Sequence, residues 1–148
     1  MVPTSVNDLF AKILTFMEPE LDRQQIVLAT SLAQDMPQIA LDQGLMHRAC
    51  LNILMNSVQA MPEGGKLTVE TRYDKATGMA LLVVSDTGGG MSLEKQGHIF
   101  TPFYTDKNRG TGLGLAIVKN IVDSHQGTIS VDSKEGEGAT FTIALPFG

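Results

Sequence analysis

Residues 86–115 read DTGGGMSLEKQGHIFTPFYTDKNRGTGLGL, and the reading of this stretch decides the fold. It starts where the apolar run Met79-Ala80-Leu81-Leu82-Val83-Val84 stops, and it ends where a helical pattern over residues 115–125 starts. Two glycine clusters lie inside it, Gly88-Gly89-Gly90 and Gly110, Gly112, Gly114. Glycine is used where φ must be positive or where a backbone must approach a ligand closely. A connection this long within a compact domain is either functional or disordered. Ile99, Phe100, Phe103 and Tyr104 argue against disorder, because disordered segments are poor in such residues. The stretch reads as a lid closing over an anionic ligand.

Outward from it, strand and helix patterns alternate. Residues 66–73 alternate as a half-buried strand, and a turn at 74–78 leads back into the apolar strand that ends at Asp86, making a hairpin. Before that hairpin, residues 42–60 give the strongest helix pattern, with apolar residues such as Leu45, Met46, Ala49, Cys50 and Val58 recurring every three or four positions. Met61-Pro62-Glu63-Gly64-Gly65 terminates it. Further upstream, residues 25–31 are a strand candidate. The first helix carries Leu9, Phe10, Ile13, Leu14 and Met17, capped by Ser5 or Asn7 and closed or kinked at Pro19. The residues before it read as a linker. Downstream of the lid, a second amphipathic helix ends at Gln126-Gly127, and residues 128–132 and 139–145 are two more strands. The order predicts an α+β fold: a two-layer sandwich with a mixed, mainly antiparallel sheet of about five strands and about three helices on one face.

Composition fits one soluble domain spanning 1–148. Hydrophobic residues make up 43% and charged residues 18%, as in an ordinary globule. The net charge of −5 gives no reason to expect nucleic acid or an anionic membrane as partner, and it requires any anion site to be built locally. A single cysteine, Cys50, rules out an internal disulfide and reads as a buried thiol. With no membrane-length apolar run and no signal peptide pattern, the segment is cytoplasmic in character, although a parent protein can still be anchored in a membrane.

Three groups of residues carry chemistry. Asn52 and Asn56 lie four apart and share one helix face. Such amides either bond to a neighbouring loop or strand, or supply an oxygen to Mg²⁺, which prefers hard oxygen ligands. Asp86, at a strand end before glycines, either closes an Asx-turn or accepts a hydrogen bond from the exocyclic amine of adenine. Gly110-Thr111-Gly112-Leu113-Gly114 runs into a helix start, where exposed amides and the helix dipole favour phosphate. No Lys-Ser/Thr pair follows, so it is not a Walker A loop, and Leu115 breaks the dinucleotide fingerprint.

Taken in order, these pieces resemble the ATP-binding catalytic domain of bacterial sensor histidine kinases, within the gyrase, Hsp90, histidine kinase and MutL superfamily. Leu51-Asn52-Ile53-Leu54-Met55-Asn56-Ser57 looks like the N box, and Asp86-Thr87-Gly88-Gly89-Gly90 matches the G1 box. Ile99-Phe100-Thr101-Pro102-Phe103-Tyr104-Thr105-Asp106-Lys107 is similar to the F box. Residues 110–115 match the G2 box, and Gly136-Glu137-Gly138-Ala139-Thr140-Phe141 resembles the last glycine box. The resemblance implies the Bergerat-type sandwich and a long ATP lid. It implies that Asp86 reads adenine with Thr140 in support, with Gly88 and Gly90 shaping that end of the site. Asn56 would hold Mg²⁺ on the phosphates, Gln59 would bond them, and Gly110, Thr111, Gly112, Leu113 and Gly114 would cradle them. Lys107 and Arg109 would neutralise charge on the transferred group, Phe100 and Phe103 would anchor the lid against the body or against a partner helix, and Phe100 would also border the nucleotide. Thr101 and Asp106 depart from the residues many members carry, and Asp106 sets a negative charge beside Lys107.

ATPases of the superfamily carry a water-activating Glu one helical turn before the metal-binding Asn. That place here is Asn52, and an amide has no useful basicity. The resemblance therefore implies phosphoryl transfer to a protein side chain, with Asn52 among the catalytic-face residues. None of His47, His98 and His125 stands in a His-Glu or His-Asp acceptor motif. His125 ends a helix, where capping is its expected role. The acceptor is expected on a separate dimerisation and phosphoacceptor domain, with a response regulator as onward partner. The fragment would be monomeric and its parent kinase a homodimer, and the fragment alone would scarcely autophosphorylate. Two alternatives are an anti-sigma-factor-like serine kinase and a nucleotide-binding scaffold without catalysis.

Overall fold

The computed structural model describes residues 1–101 and 114–147. The chain opens with β1 (Val2–Thr4), which pairs antiparallel with β3 (Ile39–Leu41) in a small sheet of its own. This segment was expected to be a linker. Between these strands lie α1 (Val6–Arg23) and β2 (Ile26–Ser31). Ser5 is the cap of α1, its hydroxyl accepting the Asp8 N–H at 3.2 Å. Asn7 does something else: its amide donates to the Ala33 carbonyl at 2.8 Å and accepts from the Thr71 hydroxyl at 2.7 Å. Pro19 does not close the helix, which runs on to Arg23. Pro19 is exposed, so the hydrogen bond it forfeits lies on the solvent side, while Met17 and Leu21 bury the opposite side of the same turns.

The main sheet comprises β2, β4 (Gly65–Asp74), β5 (Met79–Asp86), β6 (Thr128–Lys134) and β7 (Gly138–Pro146), in the spatial order β2-β4-β5-β7-β6. β2 runs parallel to β4, and the other pairs are antiparallel, so the sheet is mixed and mainly antiparallel as the sequence predicts. Strand alternation divides it into two faces. Leu67, Val69, Leu82, Val84, Phe141 and Ile143 are buried beneath the helices, whereas Thr68, Ser85, Thr140 and Thr142 point to the other side. Against the apolar face pack α1, α2 (Gln43–Gln59) and α4 (Gly114–Ser124). A short helix, α3 (Leu93–His98), stands in the first part of the lid stretch and contributes no buried residue of its own.

α2 is the central helix. Asp42 caps it by accepting the Leu45 N–H at 3.0 Å, and Met46, Ala49, Cys50, Ile53, Leu54 and Val58 form its buried side. His125, just beyond α4, fastens the two helices together. Its Nε2 accepts the Asp42 N–H at 3.0 Å, which fixes the proton on Nδ1, and Nδ1 donates to the Ile121 carbonyl at 2.7 Å. The ring is 4% exposed and serves the helix ends.

Burial pushes the Cys50 thiol up from 9.0 to about 12. Little thiolate exists below that value, so Cys50 is expected to resist thiol reagents at neutral pH until the chain unfolds, which a denaturant series with a chromogenic disulfide measures directly. The sign of the linkage also follows. Between about pH 9 and 12 the folded state retains a proton that the unfolded chain has lost, so this thiol's contribution to stability declines as pH rises through that window. Cys50→Ala is expected to flatten the alkaline decline relative to the parent; identical slopes would contradict the assignment.

Candidate functional site

The site forms where β5 ends. Asp86 is 4% exposed and faces the helices, level with Leu67 of β4 and Ala139 of β7. Its Oδ1 accepts the Gly88 N–H at 2.9 Å, which is the Asx-turn read from the sequence. The turn does not exclude a ligand, because a carboxylate has two oxygens and about four lone-pair positions. A small cavity adjoins it, lined by Asn56, Ala60, Asp86, Gly90, Met91 and Ala139. α2 supplies Asn56, and Ala60, one turn on, is the helix's C-terminal cap. Asn52, a turn earlier, donates from Nδ2 to the Gly114 carbonyl at 3.5 Å, at the outer limit of a hydrogen bond, so the asparagine face of α2 meets the first turn of α4.

Glycine is needed at this edge for close packing. Gly90 has φ +70°, and a Cβ there would stand 2.0 Å from the Lys134 carbonyl oxygen, so the segment after Asp86 lies directly against the β6–β7 hairpin. The Gly136 N–H donates to the Gly89 carbonyl at 2.7 Å across the same seam. Gly88 rests on the last turn of α2, its Cβ position 2.4 Å from the Ala60 carbonyl oxygen.

The structure thus brings Asp86, Gly88, Gly90, Asn52, Asn56 and Gly114 to one end of the sheet. Gln59 is exposed at the end of α2 and is not among the residues lining the cavity. Phe100 is half-buried and stacks edge-to-face on Phe141, with centroids 6.4 Å apart and planes at 77°. It anchors the start of the lid in the core and does not line the cavity. Thr140 is not brought in. Neighbouring strand residues face opposite ways, so Ala139 faces the cavity and Thr140 lies on the other side of the sheet, its hydroxyl 2.9 Å from that of Ser85. Lys107, Arg109, Gly110, Thr111, Gly112 and Leu113, with Phe103, Tyr104 and Asp106, lie outside the described residues.

Sequence reasoning missed Ala60, Met91 and Ala139 as cavity residues. A signal existed for Ala139: Phe141, Ile143 and Leu145 alternate as the apolar side of β7, and Ala139 has their parity. Nothing comparable marks Met91 or Ala60. Among the described residues no group of three His, Cys, Asp or Glu side chains could cage a metal ion. A wider surface groove of about 480 Å³ lies away from Asp86, lined by Thr4, Asp8, Lys12, Gln43 and His47 among others. Its Thr4 hydroxyl is already engaged by Gln43 at 3.1 Å.

The fold and site define an α+β two-layer sandwich in which a buried carboxylate at the end of the central strand and an asparagine from the helix layer line one cavity. The chain belongs to the family described as Histidine kinase-, DNA gyrase B-, and HSP90-like ATPase, whose pattern matches residues 41–148. Among curated relatives, the sensor histidine kinase ZraS of Escherichia coli K12 is 37% identical over 141 residues, covering 95% of this chain and 30% of that protein. The chain therefore spans under a third of that relative's length. Among solved structures, the catalytic domain of histidine kinase ThkA superposes with a TM-score of 0.89 at 25% identity, covering 99% of both chains. Full-length ShkA in complex with AMPPNP gives a TM-score of 0.89 at 28% identity, over 99% of this chain and 31% of that one. The relatives are sensor histidine kinases, and the solved neighbours are histidine kinases and their catalytic domains.

Proposed function

We propose that the chain is a single ATP-binding catalytic domain that transfers the γ-phosphoryl group of ATP to a histidine on a separate dimerisation and phosphoacceptor domain, for relay to a response regulator. The observation that carries this reading is the buried Asp86 carboxylate beside a cavity that Asn56 also lines, in a chain that aligns throughout with a histidine kinase catalytic domain. Asp86 would accept from the exocyclic amine of adenine, in keeping with the AMPPNP bound by ShkA. Gly110 to Gly114 and the start of α4 would hold the phosphates, and Lys107 and Arg109 would offset negative charge on the transferred group. In the transfer, a histidine ring nitrogen attacks the γ-phosphorus, a P–N bond forms, the bond to the β–γ bridging oxygen breaks, and ADP leaves.

The donor set fits magnesium carried by the nucleotide. The described residues offer Asn56 and no carboxylate cage, and Mg²⁺ commonly binds through one or two protein oxygens together with substrate phosphates. Asn56 would hold it, and the ion would supply charge neutralisation on the phosphates. Asn52 occupies the position from which a carboxylate could have activated water. Its amide is no base, so the site favours delivery to a protein side chain, which rests on positioning and electrostatics. No described helix is long and apolar enough to cross a membrane, which agrees with a domain working in the cytoplasm whether or not its parent is anchored.

Mixing the chain with a helical-hairpin domain carrying a phosphoacceptor histidine and Mg-ATP is expected to yield acid-labile, base-stable phosphate on the hairpin and almost none on the chain alone. Acid-stable phosphate would reassign the chain to serine transfer. Tight ATP binding with no transfer would leave only a nucleotide-binding module.

A further inference from the structure

Ser133 stands in the same cross-strand level as Asp86, with Ala139 between them, and is 9% exposed on the helix-facing side. Its hydroxyl donates to the Gly138 carbonyl at 2.7 Å and accepts the Met91 N–H at 2.9 Å. Gln96, on α3, donates from Nε2 to the Met91 carbonyl at 3.1 Å and to the Ser133 carbonyl at 2.8 Å. Both amide protons of Gln96 are thereby used, as is the one hydroxyl proton of Ser133. Met91 is 4% exposed and lines the cavity beside Asp86, and both of its backbone polar groups are held by these two side chains. Because α3 buries nothing itself, Gln96 is also a polar attachment of the first lid helix to the β6–β7 hairpin.

We propose that Ser133 and Gln96 are positioning residues for the nucleotide base, forming a latch that presses Met91 and Gly90 against the Asp86 cavity and couples the placement of α3 to it. The inference rests on the reading of that cavity as the adenine site and deepens it. Neither side chain lines the cavity, so their effect passes through the Met91 backbone. Without the latch, the segment between Asp86 and α3 retains the Gly136–Gly89 hydrogen bond but loses both attachments at Met91. The base then meets a wall that must be ordered on binding. The cost falls on nucleotide affinity and not on phosphoryl transfer from the bound state.

The test uses Ser133→Ala, Gln96→Leu and the double variant, with ATP and ADP binding by calorimetry, KM and kcat for transfer to the acceptor domain, and thermal unfolding without nucleotide. Each single variant is expected to raise Kd and KM about tenfold, the effect of the one hydrogen bond each removes at Met91, with kcat at saturating ATP within about twofold of the parent. The double variant is expected to fall well short of the product of the singles, because both act through Met91. Variants that unfold at lower temperature yet bind ATP with the parent's affinity would reduce the latch to a structural tie and overturn the proposal. So would a fall in kcat at unchanged KM. A parent chain that binds no ATP would instead sink the functional reading, and the latch with it.

Discussion

Asp86→Asn is expected to weaken ATP binding by roughly 10- to 150-fold, the equivalent of about 1.5–3 kcal/mol for a hydrogen bond to a charged group in a buried setting. The fold should survive, because an asparagine oxygen can still accept the Gly88 N–H that Asp86 Oδ1 accepts at 2.9 Å. The sharper result concerns inosine triphosphate, whose 6-oxo group replaces the adenine amine. The parent should reject it, since a carboxylate facing a carbonyl oxygen has no proton to share. Asp86→Asn can turn its amide donor toward that oxygen, so discrimination between the two nucleotides should shrink to near unity or invert. Calorimetric titration of both proteins with both nucleotides forms the complete cycle. Equal affinity of the parent for ATP and inosine triphosphate would remove Asp86 from base recognition.

This end of the domain was legible in the sequence to an uneven degree, for physical reasons. The Asp86 turn, the asparagine face of α2 and the β4–β5 hairpin all follow from short-range signals: a strand ending in Asp-x-Gly, a spacing of four, an apolar alternation. β1 and β3 had no such signal. Each is three residues long, one contains Pro3, and they exist because residues 35 to 39 positions apart pair with one another. α3 carries a local cue in Ser92, whose hydroxyl accepts the Lys95 N–H at 3.2 Å, but it has no buried stripe and so no helical periodicity to detect. Pro19 ordinarily ends or kinks a helix, but burial of Met17 and Leu21 on the same turns outweighs that cost. The misplacement of Thr140 was of another kind. Its strand is marked by apolar alternation, and the parity fixed by Phe141 and Ile143 puts Ala139, not Thr140, beside Asp86. The Ser133–Gln96 latch lies beyond any local pattern, since it joins residues 37 positions apart through one side chain.

Gly138→Ala tests how tightly stability and site are joined. Gly138 has φ +97°, and a Cβ there would stand 2.0 Å from the Asp86 carbonyl oxygen, 2.9 Å from its carbonyl carbon and 3.0 Å from Thr87 Cα, all backbone atoms that no rotamer change can clear. Backbone strain of about 1–3 kcal/mol adds to an overpacking cost of about 1–3 kcal/mol or more, a large share of the roughly 5–15 kcal/mol that holds a typical domain. β5 and β7 must part at the level of Asp86 and Ala139, which moves the Asp86 carboxylate. Gly136→Ala is the matched control. Its φ is +81°, but a Cβ would meet nothing within 4 Å, so only a left-handed penalty of about 1–2 kcal/mol applies. Urea unfolding should therefore place Gly138→Ala well below Gly136→Ala. At temperatures where both remain folded, only Gly138→Ala should lose ATP affinity. Equal losses in stability would mean that the two strands yield cheaply at this level. Intact binding in a destabilised Gly138→Ala would mean that the carboxylate is held by something other than its own strand, and the Gly88 turn would then be the next place to look.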